Sequence, residues 1–532
     1  MKQIAYKVNK VLSEMSKGQE LLLISLLSIA YVFSILLWME TITCGWHLTD
    51  DHEFLRMIYY SQTEGRSFWD LCKEFTLRDV SFRFRPLYMP ARVFSVFLFR
   101  DNLLIYYIMK ALEVVASSIV LYYVGRQMSD SKVASLLFSL ISLTGYQSVS
   151  WWKLGTHEMQ GTVLFAISWL TLMWWIKSSK SIWAVISVVS AIPMMLYKES
   201  YMALVPFLML FAIYYDHYVN KTEIVWTNLL ETIKKRIGYF ISIGCFLLIF
   251  TGYFVFVIGF DGYDMSGGDS GGFLSAYWNG ISKSLERDLK WYFRFGVLFV
   301  AILLTYWEEL KKRWQELIII CMFVLPQIVI YGNVGFSGHY LLPLTIAFAL
   351  FFVLWTWEWK VLAGKRRWLY IFGILLVLAS NGRVALREAD YFRLRGVGIT
   401  TALETVKELS LQKEDVKVLS AFENNTEANM TFHYWLLNQG IDNMYYWKED
   451  TESIEIGYNN AQIVRNDMGT YTIEDMDVVV VHNHEDRHWY YDPTFDKSDF
   501  IEIPCGTLTL YVRNDAGLEI PKIQIQGLKI NF

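Results

Sequence analysis

The run Leu21-Leu22-Leu23-Ile24-Ser25-Leu26-Leu27-Ser28-Ile29-Ala30-Tyr31-Val32-Phe33-Ser34-Ile35-Leu36-Leu37-Trp38-Met39 is apolar along its whole length. It matches the roughly 20 residues that a helix needs to cross a bilayer. Shortly after it comes Thr49-Asp50-Asp51-His52-Glu53. Three carboxylates and a histidine therefore stand just outside hydrocarbon, where a carboxylate beside an apolar wall can serve as a general base or a metal ligand. Asp50 and Glu53 also have the spacing of a capping box ahead of a helix beginning Phe54-Leu55. Capping accounts for one Asp and the Glu and leaves Asp51 unexplained.

Working outward, the 532 residues are 54% hydrophobic and only 19% charged. Soluble domains carry roughly 25% charge, so most of the chain belongs in a membrane. The net charge of -4 predicts no nucleic-acid partner. The first apolar run is too long for a cleaved signal and reads as a retained span. The five cysteines show no metal-binding spacing, and nothing in their spacing predicts a Cys44–Cys72 bridge.

Lys2, Lys7, Lys10 and Lys17 precede the first span, which places the N-terminus in the cytoplasm. Residues 40–101 form an external loop, with 86–99 lying on the membrane surface because Pro90 and Arg92 interrupt it. Further apolar runs recur at about 102–124, 133–149, 159–176, 182–197, 200–215, 237–258, 291–307, 317–331, 340–357 and 368–385. With the first they make about eleven spans. One set of connecting loops concentrates Lys and Arg, including Lys234-Lys235-Arg236 and Lys365-Arg366-Arg367. The other set is nearly free of them, with Lys153 and Lys198 the exceptions. The basic set is cytoplasmic, and an odd count leaves the C-terminus outside. The segment Ser266–Gly272 is glycine-dense and reads as a loop or a lid.

The composition changes near residue 390. Thr400–Leu411 reads as a helix, and Val416–Ala421, Val478–Val481 and Leu508–Val512 as buried strands. The expected architecture is a polytopic α-helical membrane domain over 1–389 and a soluble extracytoplasmic α/β or α+β domain over 390–532. Asn424-Asn425-Thr426 and Asn429-Met430-Thr431 have the glycosylation pattern. His482, His484 and His488 cluster near Glu485 and Asp486 without the spacing of a standard metal set, so a solvated loop is the simpler reading.

The remaining polar motifs fall on the same external side. They are Arg83-Phe84-Arg85-Pro86-Leu87, Gly155-Thr156-His157-Glu158, Tyr197-Lys198-Glu199-Ser200 and Gly338-His339-Tyr340-Leu341-Leu342-Pro343. A charge at the bilayer centre costs about 2.5–3.5 kcal/mol on insertion scales, so several on one side imply a shared polar site. Acids supply a base or a site for a divalent metal ion, the one cofactor left open: Asp50 and Asp51 are the catalytic candidates, and Glu158 and Glu199 join the substrate-binding candidates. The groups Arg83, Arg85, His157, Lys198, His339 and Tyr340 suit a phosphate whose tail remains in lipid. Plainer readings stand beside these. Arg83 and Arg85 can contact headgroups, Lys198 can pair with Glu199, the histidines can be satisfied interface residues, and Lys110 can pair with Glu113.

The order Asp50-Asp51, Arg85-Pro86-Leu87, Lys198-Glu199 and His339-Tyr340-Leu341-Leu342-Pro343 resembles the GT-C class of membrane glycosyltransferases. It is similar to protein O-mannosyltransferases and aminoarabinose transferases, and to the tetratricopeptide-linked O-mannosyltransferases. The resemblance covers roughly residues 20–385. It implies a GT-C-like fold, a polyprenyl-phosphate-linked sugar donor, and a glycan, lipid or protein acceptor. It also implies a catalytic acid at Asp50, with Asp51 the second choice, and donor-phosphate contacts at Arg83, Arg85, Lys198 and His339. His339 stands where relatives often carry Arg, and no tetratricopeptide repeat follows.

The expectation is thus an inverting glycosyltransferase of the cell membrane, with a bacterial plasma membrane favoured over the endoplasmic reticulum. A transporter or lipid flippase is the alternative, and would spread polar residues through repeated halves. A membrane-anchored binding protein would instead make Asp50 dispensable.

Overall fold

The computed structural model describes residues 14–48, 50–81, 83–258, 278, 282, 311–331, 338–358, 365–413, 415–422, 426–442, 444–448, 453–456, 471–485, 493–525 and 527–530. The chain is mostly helical. Its helices in order are α1 (Lys17–Trp38), α2 (His52–Gln62), α3 (Phe68–Val80), α4 (Tyr88–Phe99), α5 (Leu103–Met128), α6 (Lys132–Leu143), α7 (Glu158–Ser178) and α8 (Ser181–Tyr197). Then come α9 (Val205–Asn220), α10 (Trp226–Lys235), α11 (Ile237–Tyr253), α12 (Trp314–Tyr331), α13 (Leu342–Ala349), α14 (Lys365–Ser410) and α15 (Thr426–Asn438).

Among the described residues, eight helices are long and apolar enough to cross a membrane. They correspond to eight of the expected runs. Two other runs form α6 and α8, which are apolar but shorter. The run at 291–307, the glycine-rich segment 266–272, and Lys2, Lys7 and Lys10 lie outside the described residues. Exposed Leu21, Leu22, Leu26 and Leu37 on α1, and Ile182, Val185 and Val189 on α8, form apolar outer faces. A helix clothed in apolar side chains where water would demand polar ones is a membrane helix, and the chain is a multi-pass membrane protein. Inside the bundle, small hydroxyls take over: Ser28, Ser118 and Ser139 form a buried hydrogen-bonded chain between α1, α5 and α6. Small polar residues allow close helix approach and satisfy one another where no water is present.

The C-terminal sheet has the order β3-β2-β1-β4-β6-β5, with β1 Val418–Ala421, β2 Met444–Lys448, β3 Ser453–Ile456, β4 Val478–His482, β5 Phe500–Cys505 and β6 Leu508–Arg513. β1 pairs in parallel with β2 and β4, and the outer pairs are antiparallel. The helix α15 makes the crossover from β1 to β2. Strand side chains alternate. Val478 and Val480 join the core shared with the helices, while Val479 and Val481 join a smaller core on the other face. This is why Val478–Val481 of β4 reads as an unbroken apolar run.

The residue 390 at which composition changes lies inside α14, which continues without a break from the apolar segment into the sheet domain. The helix expected at 400–411 is its last part. Gly398 on α14 presses on the β5–β6 turn, where a Cβ would fall 2.5 Å from Cys505 O. Only a residue without a side chain permits that approach. The C-terminal tail returns to the same helix: Arg393 donates to Gly527 O at 2.7 Å, and Ile530 N–H donates to Asp390 at 2.8 Å.

Candidate active site

The motif between α1 and α2 does not form the expected capping box. Asp50 has φ 68°, left-handed, a region Asp tolerates better than most residues. That turn carries its carboxylate away from α2 and into an ion pair with Lys153. Asp51 immediately precedes α2 without a side-chain cap. Its carboxylate turns back and accepts the His47 N–H at 2.9 Å, and it is buried. Glu53 pairs with Arg92 instead of capping.

Lys153 reaches Asp50 because the loop before α7 lies against the motif. A Cβ on Gly155 would stand 2.1 Å from Asp50 Cβ, so the two backbones touch only because residue 155 is glycine. The Gly155 carbonyl accepts from Arg92 and, at 3.0 Å, from the Tyr88 hydroxyl. Arg92 is the residue that marked 86–99 as a surface segment. It is buried, on the face of α4 that also buries Tyr88, Met89, Val93 and Val96.

His157 closes α7 at its start. Arg92 Nε donates to His157 Nε2 at 3.3 Å, so that nitrogen is an acceptor and the ring is neutral. Burial, then the nearby cations Arg92, Lys110, Arg85 and Lys198, hold its pKa well below the ordinary value. Glu158 follows and pairs with Lys198 at 3.0 Å, with His339 Nε2 at 3.9 Å. Lys198 also sits 5.0 Å from the centre of the Tyr340 ring. Burial works against its charge, but Glu158 outweighs burial and raises the pKa, so Lys198 is a cation. Its ion pair is therefore with Glu158 and not the neighbouring Glu199. Glu199 is buried and acts electrostatically on Arg85 and Asp79.

Arg85 forms a two-toothed pair with Asp79 at 2.7–3.0 Å and stacks 3.6 Å over the Tyr88 ring. Arg83 lies on the same turn, its N–H donating to Asp79 O at 2.8 Å. The Tyr88 ring also packs 4.3 Å from His157. Lys110 pairs with Glu113 at 3.6 Å.

At Asp50, burial alone would raise the carboxyl pKa, but Lys153, with lesser help from His339 and Arg92, holds it well below the usual carboxylate range. The carboxylate is not sealed off: its side chain is 29% exposed, against 1% for Asp51. Of the two acids, Asp50 is the one a substrate can reach. The neighbouring His52 is pushed down to about 3 by burial.

Three participants escaped the sequence reading. Lys153 had a signal, since it broke the charge rule for its loop. Arg92 was visible as an interruption in an apolar stretch. Glu427 had none: it lies 377 residues from Asp50 and accepts the Asp50 N–H at 3.1 Å.

Elsewhere, His482 is buried against Phe422 and His484 is exposed beside Glu485; His488 and Asp486 lie outside the described residues. Among the described residues, no three His, Cys, Asp or Glu side chains converge as a metal-binding set. Asn429 is buried on α15 and accepts from Ser420 at 2.8 Å, while Asn424 and Asn425 lie outside the described residues. All five cysteines are free. In comparison with known proteins, no family model matches the chain, and no curated protein matches it.

Proposed function

We propose that the protein is a GT-C-like glycosyltransferase that moves a sugar from a polyprenyl-phosphate donor to an acceptor at the extracytoplasmic face. The observation that carries this reading is the reachable Asp50 carboxylate, paired to Lys153 and standing beside the Lys198–Glu158–His339–Tyr340 group at one end of a membrane-spanning bundle. A base, fixed cations and an adjacent hydrocarbon phase are what a lipid-phosphate leaving group requires.

In the proposed reaction, the acceptor oxygen or nitrogen attacks the anomeric carbon and its proton passes to Asp50. The bond from that carbon to the phosphate oxygen breaks, and its electron pair leaves on the lipid phosphate. One displacement inverts the configuration. Lys153 and Lys198 stabilise the charge that develops on the phosphate. In the resting site Lys153 lowers the basicity of Asp50. A phosphate that draws Lys153 to itself restores that basicity, so donor binding switches on the base. Arg85, held by Asp79, shapes the wall through Tyr88. The positive-inside pattern of the loops supports an extracytoplasmic position for this end of the bundle.

The test is release of polyprenyl phosphate from a panel of polyprenyl-phosphate sugars by the purified protein in detergent. Release by the wild type that vanishes in Asp50→Asn supports the reading and names the sugar. No release with any donor moves the assignment to transport or lipid flipping. A sharper check uses Gly155→Ala. The added methyl collides with the Asp50 Cβ and displaces the carboxylate, and a shift of about 1 Å in a reacting group costs on the order of 100-fold in rate. Turnover in this variant, read below a melting transition that the collision also lowers, is expected to fall by that factor.

A further inference from the structure

Asp50 occupies a left-handed backbone conformation, with φ 68°. A non-glycine residue keeps such a conformation when its surroundings fix it. What fixes it here comes from the C-terminal domain. The Asp50 N–H donates to Glu427 Oε2 at 3.1 Å, and Glu427 stands in the first turn of α15. That helix grips the motif backbone on both sides. Thr431 Oγ1 donates to Leu48 O at 2.7 Å, and Asn438 Nδ2 donates to Leu55 O at 3.1 Å. The hydroxyls of Tyr60 and Tyr434 meet at 3.4 Å. Burial, then the charge on Asp50, raises the Glu427 pKa.

We infer that Glu427 is a positioning residue for Asp50: by accepting the Asp50 N–H it holds the left-handed turn that aims the Asp50 carboxylate at Lys153. The inference rests on the reading of Asp50 as the base. It makes the sheet domain a working part of the site at the end of the membrane bundle, with two segments 377 residues apart joined at one peptide group. In this role the carboxylate of Glu427 acts through its oxygen, as the acceptor of the Asp50 N–H.

The test compares Glu427→Ala, Glu427→Met and Glu427→Gln with wild type, each as the full chain in detergent. Ala and Met cannot accept the hydrogen bond; Gln can, through its side-chain carbonyl. The first readout is turnover of the donor identified above. Ala and Met are expected to lower kcat about 30-fold or more with the donor KM within about threefold, and Gln to recover turnover to within about threefold of wild type. The second readout is the rate at which an amine-acylating reagent labels Lys153, followed by mass spectrometry. Once Asp50 swings away, Lys153 labels about tenfold faster in Ala and Met; Gln keeps Asp50 in place and loses only the charge that Glu427 adds beside Lys153, so it labels at most about threefold faster than wild type. Wild-type turnover and labelling in Ala and Met overturn the inference. So does a Gln variant as impaired as Ala, because charge would then be what matters. If Ala fails to fold, Met, which fills the same volume, decides the question. The labelling arm needs no activity. A wild type that turns over no donor thus sinks the functional reading, while labelling still decides the role of Glu427.

Discussion

Asp50→Asn is expected to lower kcat about 1000-fold, because a positioned general base contributes on the order of 10²–10⁴ to rate. That is about 4 kcal/mol of transition-state stabilisation. The donor KM should not rise, since the variant leaves Lys153 in place and frees it for the phosphate. Asp51→Asn is expected to act through the fold: Asp51 is buried and bonded to the His47 backbone, so its loss appears in melting. The pH profile follows from the ion pair. Lys153 outweighs burial and depresses the Asp50 pKa. The stability that Asp50 contributes is therefore complete above its unfolded value of about 3.9 and is lost as pH falls through the lower folded value. The acid limb of kcat/KM, which reports the free enzyme, should lie below about pH 4. The acid limb of kcat, which reports the complex, should lie higher, because the donor phosphate has taken Lys153. Coincident limbs would remove the proposed handover of Lys153.

The second large effect is at Lys198. Its partner Glu158 is almost wholly buried, 3.0 Å away. Breaking a buried pair strands the remaining charge and typically costs about 3–5 kcal/mol. Lys198→Met is therefore expected to lower stability by about that amount and to depress turnover about 100-fold or more through loss of a phosphate contact. The double variant Lys198→Met with Glu158→Gln removes both charges and should recover most of the stability, as buried pairs replaced together often do. Turnover should stay low. Melting and donor turnover measured on all three proteins separate the two effects. A double variant that recovers both would make Lys198 purely structural.

Much of the candidate site was legible because its residues interrupt apolar runs at span ends. Asp50, His157, Glu158, Lys198 and His339 stood out for that reason, and they are adjacent in space. Pairing was not legible. Lys198 and Glu199 are consecutive, and consecutive residues project in different directions; α8 ends at Tyr197 and a new turn begins at Glu199. Arg85 looked available for a phosphate because its partner Asp79 sits at the end of a helix six residues earlier. The continuity of α14 was hidden by its charges. Arg387, Glu388, Asp390, Arg393 and Arg395 end the apolar run, yet they do not end the helix. Arg387 pairs with Glu388 and Arg393 with Asp390. Hydropathy marks the edge of a solvent phase, whereas a helix stops only where its backbone does. The grip of α15 on the motif had no local signal at all.

The unbroken α14 has one more consequence. Its 46 residues run about 69 Å at 1.5 Å per residue, with one end in the bundle and the other under the sheet. The two halves of the molecule are therefore set in phase, like two gears on one shaft. A single residue inserted near Ala385 would turn the sheet domain by about 100° relative to the bundle and carry Glu427 off the motif. Seven inserted residues would bring it back within about 20° of its bearing but lift it by about 10 Å. The spacing along this one helix is thus as much a part of the site as any of its side chains.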